Sequence, residues 1–192
     1  MTYATFWQRF AAMWIDVFVF MPLMILSAWL EGHSRIVAMV SLVTMSALYQ
    51  AYTIYGHGRF GQTIGKHLMG IRVLRMNGEP IRWREAWLRS AIELVYMVLS
   101  DAATLIALWT IPDNLYVGVS WLQRGVNVQE HVPEWNGWVE IAGQVWIWSE
   151  FVVLLLNRKR RSLHDFMAGT VVAAQPAITS ATASATEVLP AV

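Results

Sequence analysis

The chain contains no cysteine. This absence excludes disulfides, thiolate catalysis, zinc sites with Cys ligands and iron–sulfur clusters. Charge is also scarce, since 14% of the residues are charged and the formal net charge is +1. We therefore expect no nucleic-acid partner. A chain with so little charge and 56% hydrophobic residues differs from the composition of soluble domains.

The sequence also lacks a recognisable catalytic or cofactor motif. No serine stands in a nucleophile elbow, and no group of nucleophile, base and acid can be identified. A glycine–lysine stretch at residues 61–67 falls one residue short of a phosphate loop and has no Ser or Thr after its lysine. The histidines do not show metal-ligand spacing on one helix: they are His33, His57, His67, His131 and His164. We predict no enzyme activity, no cofactor and no metal site.

Long apolar runs dominate what is present. Four segments reach the roughly 20 residues that a helix needs to cross a bilayer: residues 11–30, 36–55, 91–111 and 138–156. The first run has only Arg9 before it and no small-residue cleavage site before Glu31, so we interpret it as a retained helix. The predicted fold class is all-α, a membrane-embedded bundle of about four transmembrane helices.

The distribution of Lys and Arg predicts the orientation of this bundle. One lies before the first span, seven lie in residues 56–90 and four in residues 158–161, which together make 12 of the 14. Since cationic loops stay on the cytoplasmic side, both termini and the second loop are predicted to be cytoplasmic. This requires an even number of crossings. We expect a multi-pass protein of the bacterial plasma or inner membrane.

Residues outside the spans give weaker signals. Residues 71–78 favour a short hairpin or turn around Asn77-Gly78, and residues 82–89 favour an interfacial helix that enters the third span. The outer loop, residues 112–137, is apolar enough at 115–122 to lie on or re-enter the membrane. Residues 166–174 are too short to cross and should dock against the inner membrane face or the bundle. We divide the chain into a transmembrane domain, 1–174, and a disordered tail, 175–192.

Two aspartates flank the predicted cytoplasmic surface. Asp16 lies inside the first span and Arg9 is seven residues earlier, about 10 Å away along a helix, so they do not pair directly. We expect Asp16 to pair with Arg161 or a neighbouring cation, and Arg9 to pair with Asp165. Asp165 also has the Ser162-x-x-Asp spacing of a helix cap. These charges form either a packing clamp or a transport site.

Further carboxylates lie within the spans: Glu93, Asp101, Glu140 and Glu150. One interpretation is a discontinuous acidic path, in which Asp101 carries the most weight because it is deepest. The other is that each is a neutral, buried acid hydrogen-bonded to Gln144, Ser100 or Thr104.

A basic stretch follows the fourth span: Arg158, Lys159, Arg160 and Arg161. We predict that it fixes the orientation and contacts anionic lipid headgroups, at about 1 kcal/mol per charge near the surface.

Three stretches together resemble the RDD family of small membrane proteins, named for one arginine and two aspartates. They are residues 9–16, residues 61–66 continuing through 70–73, and residues 161–165 with 168–172. The resemblance implies Arg9, Asp16 and Asp165 as signature residues, and cation/proton exchange as an activity of some members. The chain departs from the plainest family pattern in its 26-residue outer loop and its added intramembrane acids.

Two functions follow as hypotheses. The first is a transporter or cation/proton exchanger in which Asp16, with Asp101 or Glu150, binds and releases the ion. The second is a non-catalytic scaffold or accessory protein whose basic cytoplasmic loop binds a partner or anionic lipid. Because four helices are few for a transport path, we expect a homo-oligomer or a membrane partner protein.

Overall fold

Four long helices form the body of the protein. The computed structural model describes residues 2–175. The helices are α1 (Phe6–Glu31), α2 (Arg35–Tyr55), α3 (Ile64–Leu68), α4 (Trp83–Thr110), α5 (Asp113–Tyr116), α6 (Trp121–Glu130), α7 (Asn136–Leu156) and α8 (Leu163–Ala168). Helices α1, α2, α4 and α7 are long and apolar enough to cross a membrane. The predicted all-α membrane bundle is confirmed. The predicted disordered tail lies, from residue 176 onward, outside the described residues.

Polar caps explain where the first two helices begin. Thr5 caps α1, and its hydroxyl accepts from the backbone amide of Gln8 at 3.2 Å while the Gln8 side chain accepts from the Thr5 amide. Ser34 caps α2 by accepting from the Ile36 amide. Helix α1 therefore begins several residues before the apolar run at 11–30, because the capping box satisfies amides that have no partner within the helix. Arg9 therefore lies on the helix.

Helix α4 is continuous over 28 residues. The prediction that residues 82–89 form a helix entering the third span is confirmed, since these residues lead into α4 without a break, while their location at the membrane interface stays a prediction. Glu85 stabilises the start by accepting from the Arg82 amide at 2.8 Å. At about 1.5 Å per residue the helix is longer than the roughly 30 Å hydrocarbon core. Its first turns, with exposed Trp83 and Trp87, therefore extend beyond that core.

A two-stranded antiparallel sheet joins distant parts of the chain. Strand β1 (Ile71–Arg75) pairs with β2 (Thr170–Ala174), in a register that opposes Ile71 to Ala174. The N-terminal segment adds an isolated bridge from Tyr3 to Ala173. The predicted short hairpin or turn around Asn77-Gly78 is confirmed, since Leu74 and Pro80 form an antiparallel bridge across it and the Arg75 amide donates to the Glu79 carbonyl at 2.8 Å. The main partner of β1, however, is the distant strand β2. Both described chain ends thus lie on the same side of the bundle as the second loop, as an even number of crossings requires.

The opposite side carries a folded outer loop. Residues 112–137 contain α5 and α6, and the Asn127 side chain donates to the Leu115 carbonyl at 2.6 Å. Arg35, at the start of α2, pairs with Asp113 at 2.6 Å and donates to the Ile111 carbonyl at 2.5 Å. Each Arg of the outer side therefore has a local role, since Arg124 donates to the Tyr116 carbonyl at 3.3 Å.

Candidate functional site

Asp165 is the centre of a charge cluster at the inner end of the bundle. Its side chain is fully buried. Arg9 of α1 donates to one carboxylate oxygen at 2.7 Å, and Arg89 of α4 pairs with the other. The Ser162 amide donates to the carboxylate at 3.1 Å, and the hydroxyls of Ser162 and Thr170 each donate to it at 3.2 Å. Five groups from four parts of the chain therefore converge on one anion.

The local sequence explains how α8 presents this anion. Ser162 is the N-cap and Asp165 occupies the third helical position, where its carboxylate reaches back to the Ser162 amide. Gly169 ends α8 in the left-handed conformation at φ 65°, which turns the chain into β2. The predicted Arg9–Asp165 pair and the predicted capping role of Asp165 are both confirmed.

Arg89 is the functional residue that the sequence reasoning missed. It lies within the predicted interfacial helix of residues 82–89 and was given no partner there, yet it is 4% exposed and also donates to the Thr170 hydroxyl at 2.6 Å. The available signal was its position just before the third apolar run and beside small residues, Ala86 and Ser90, which are also buried. A cation at such a boundary needs an anionic partner.

The electrostatics of the cluster favour an ionised Asp165. Burial raises the pKa of its carboxyl, but the charges of Arg89, His164 and Arg9 outweigh burial and hold that pKa well below the usual range. Glu150 of α7 adds a second anion, since it contacts the His164 ring at 2.8 Å and accepts from the His164 amide at 2.8 Å. Glu150 thus ties α7 to the start of α8.

Asp16 belongs to a separate network, in which its hydrogen-bond donors are uncharged groups. It accepts from the Tyr52 hydroxyl at 2.6 Å, the Thr63 hydroxyl at 2.6 Å and the Gly65 amide at 2.7 Å. Within residues 2–175 it has no ion-pair partner, so the predicted pairing with Arg161 is wrong. Asp16 instead meets the first turn of α3, where unpaired amides favour an anion.

Arg161 has a different role from the predicted one. It donates to the backbone carbonyls of Thr170 at 3.0 Å and Asp165 at 2.9 Å, and it stacks 4.0 Å from the centre of the Phe166 ring. These contacts close the turn between α8 and β2. Arg161 is therefore a structural residue of the turn.

A glycine makes the contact between α1 and α3 possible. A Cβ at Gly65 would lie 2.0 Å from the Ala12 carbonyl oxygen and 2.9 Å from the Asp16 carboxyl carbon. Only glycine lets the α3 backbone approach α1 closely enough for the Gly65 amide to reach Asp16. The glycine–lysine stretch is thus a docking element for Asp16.

Lys66 and His57 form a third polar group nearby. The Lys66 ammonium lies 2.9 Å from His57 Nε2, and His57 is 5% exposed. Burial, and next the positive charge of Arg89, lowers the pKa of Lys66 to about 8. A lysine held this way donates to the neutral imidazole and can lose its proton near neutral pH.

The remaining acids of the predicted discontinuous acidic path share no hydrogen-bond partner among residues 2–175. Asp101 of α4 accepts from the Ser46 hydroxyl of α2 at 3.1 Å. Glu93 is exposed on α4, and Glu140 is exposed on α7, where it accepts from Asn136 at 2.9 Å. None of these three acids bonds the predicted partners Ser100, Thr104 or Gln144 within residues 2–175, so that prediction is wrong. In the described chain Asp101 has Ser46 as its side-chain partner and no ion pair.

The basic stretch after α7 is mostly exposed. The side chains of Arg158, Lys159 and Arg160 are exposed, and the Arg160 carbonyl accepts from Arg9 at 2.5 Å. Three of the four predicted lipid-contacting cations thus remain accessible beside the Asp165 cluster. No group of three or more potential metal ligands occurs among residues 2–175.

The sequence also matches the model of a known protein family. The model of the RDD family matches residues 3–169, from the first bridge residue to the end of α8. The chain belongs to the RDD family. No curated protein and no solved structure matches it. In this RDD protein the signature residues Arg9 and Asp165 form an ion pair, while Asp16 binds hydroxyls and an amide.

Proposed function

We propose that this integral membrane protein is a cation/proton exchanger in which Asp101 is the ion-binding carboxylate. The supporting observation is its position within α4, with the Ser46 hydroxyl as its hydrogen-bond partner and no ion-pair partner among the described residues. A carboxylate inside the hydrocarbon region costs about 2.5 to 3.5 kcal/mol on insertion scales, and binding a proton or a cation removes that cost. A carboxylate in this position is suited to bind a proton and a cation in turn.

The signature aspartates are less suited to this task. Asp165 has two arginines and three further donors, and Asp16 has three short hydrogen bonds, one from a backbone amide. Releasing either anion to a cation would leave buried donors unpaired, at about 1–3 kcal/mol each. We assign these residues to holding the inner face together while α2 and α4 carry the ion.

Polar side chains of α2 lie toward both ends of the span from Asp101. Ser41 is five residues from Ser46, about 7.5 Å toward the outer side, and its hydroxyl is 2.6 Å from the Ser27 hydroxyl. Toward the inner side, Tyr52 is six residues from Ser46, about 9 Å along α2, and bonds Asp16. We propose that water molecules connect Ser41, Asp101 and Tyr52, and that several copies of the chain associate to complete the path of the ion across the membrane.

The test is proton-coupled cation flux in proteoliposomes under an imposed pH gradient. We expect wild type to move protons when Na⁺ or K⁺ is added, and Asp101→Asn to abolish the movement. Glu140→Gln is the matched control, because Glu140 is an exposed span carboxylate bonded to Asn136, and it should retain wild-type flux. Wild type without flux, or undiminished flux in Asp101→Asn, would contradict the proposal.

A second candidate is a non-catalytic scaffold, which the exposed Arg158, Lys159 and Arg160 favour. With 12 of 14 Lys and Arg on that side, we propose that it faces the cytoplasm of a bacterial plasma membrane and attracts anionic lipid or an acidic partner. Neither candidate involves an enzymatic step. Replacing Arg158, Lys159 and Arg160 by Gln should reduce the amount of anionic lipid or partner protein that is crosslinked to the chain. An unchanged amount would rule out this candidate.

A further inference from the structure

A cavity of about 480 Å³ lies at the outer end of the bundle, away from the charge cluster. Its walls include Ala38 and Leu42 of α2, Leu108 of α4, and Leu122 and Val126 of α6. The volume falls within the roughly 300–1,000 Å³ of small-molecule sites. The walls are apolar, and α6 bears exposed Trp121 and Leu122, so the cavity suits a hydrocarbon chain.

Two opposite charges line the same cavity. Glu31 ends α1 and accepts from the Ser27 hydroxyl at 2.5 Å, and Arg124 of α6 donates only to backbone carbonyls within the described chain. Arg124 reaches the residue that follows Glu31, since a Cβ at Gly32 would lie 3.0 Å from Arg124 Nη2. Glu31 and Arg124 form no ion pair with each other among residues 2–175.

Tyr116 also lines this cavity, and both charges act on it. Burial raises the pKa of its phenol, Arg124 opposes the rise, and Glu31 adds to it. A guanidinium and a carboxylate that line one cavity without pairing with each other can each bind a separate, opposite charge of one ligand. The complementary ligand bears an anionic group and an ammonium a few bonds apart, with an apolar tail.

We propose that this cavity binds a phospholipid whose headgroup carries both a phosphate and a primary ammonium, with the phosphate on Arg124 and the ammonium on Glu31. A lipid is favoured over a soluble zwitterion because part of the apolar wall belongs to two membrane-spanning helices, α2 and α4. A primary ammonium is favoured over a trimethylammonium because it donates hydrogen bonds to a carboxylate.

The test is native mass spectrometry of the full chain with phosphatidylethanolamine, phosphatidylcholine and phosphatidylglycerol in competition. We expect phosphatidylethanolamine to be retained about tenfold over the other two, since about 1.4 kcal/mol of charge-assisted bonding is tenfold in affinity. Equal retention of the three lipids by wild type overturns the proposal without any variant. Equally tight binding of free phosphoethanolamine would overturn the lipid assignment.

Two variants test which part of the headgroup each charged residue of the cavity binds. Arg124→Gln should lower retention of all phospholipids, and Glu31→Gln should specifically abolish the preference for the ethanolamine headgroup over phosphatidylglycerol. Arg59→Gln is the control, because Arg59 is exposed on the opposite side, and it should behave as wild type. A preference that survives both cavity variants, or that Arg59→Gln also loses, overturns the proposal.

Discussion

Replacing Asp165 by Asn tests the charge cluster most sharply. The substitution keeps the size of the side chain but leaves Arg89, which is 4% exposed, and the half-buried Arg9 without their shared anion. Breaking a buried ion pair by removing one partner costs about 3–5 kcal/mol. We expect that loss in the free energy of unfolding, measured by titrating the micellar protein with SDS.

An exposed ion pair on the other side serves as the control. Asp113, whose side chain is 74% exposed, pairs with Arg35 at 2.6 Å, and such pairs contribute at most about 1 kcal/mol. We therefore expect Asp113→Asn to change stability by less than about 1 kcal/mol. If Asp165→Asn costs no more than this control, the cluster does not hold the inner face together.

The pH dependence of wild type gives a second check on the same residue. Because the folded-state pKa of Asp165 lies below its unfolded value, its contribution is complete above that value, about 3.9. The contribution is lost as the pH falls from there through the folded pKa. Asp165→Asn should show a smaller loss of stability on acidification than wild type.

Two further predictions concern the loop that docks on Asp16. Gly65→Ala should cost about 1–3 kcal/mol of stability, since its Cβ would overlap the Ala12 carbonyl, whereas Gly137→Ala, which meets nothing within 4 Å, should cost nothing in the same SDS titration. Because the folded pKa of Lys66 is about 8, below its unfolded value, stability should rise with pH from about 8 to 10.4. Lys66→Met should flatten that rise, and an equal rise in the variant would show that another group is responsible.

The sequence was sufficient for the bundle because each span carries its own signal. Hydropathy predicted the ends of α1, α2, α4 and α7 to within a few residues, with two exceptions. Helix α1 begins earlier because of its cap, and α4 begins earlier because the amphipathic residues before the apolar run continue the same helix. The β1–β2 pairing could not be predicted, because its strands are about one hundred residues apart and each is only five residues long. Such pairing depends on tertiary packing, which local patterns do not encode.

The candidate site was predictable where charge had to be compensated. The pairing of Arg9 with Asp165 followed from the cost of an isolated charge near the membrane. The same reasoning failed for Asp16, because hydroxyls and a backbone amide satisfy its carboxylate without a cation. It also missed Arg89, whose burial depends on how α4 faces α8 rather than on its neighbours in sequence.

The central claim is that Asp101 exchanges a proton for a cation, and infrared difference spectroscopy of the reconstituted protein tests it most directly. On adding the transported cation, the account predicts loss of a protonated carboxyl band in wild type and no such loss in Asp101→Asn, with Asp16→Asn behaving as wild type. A carboxyl signal that persists in Asp101→Asn and disappears in Asp16→Asn would contradict the account and assign the exchange to the signature aspartate.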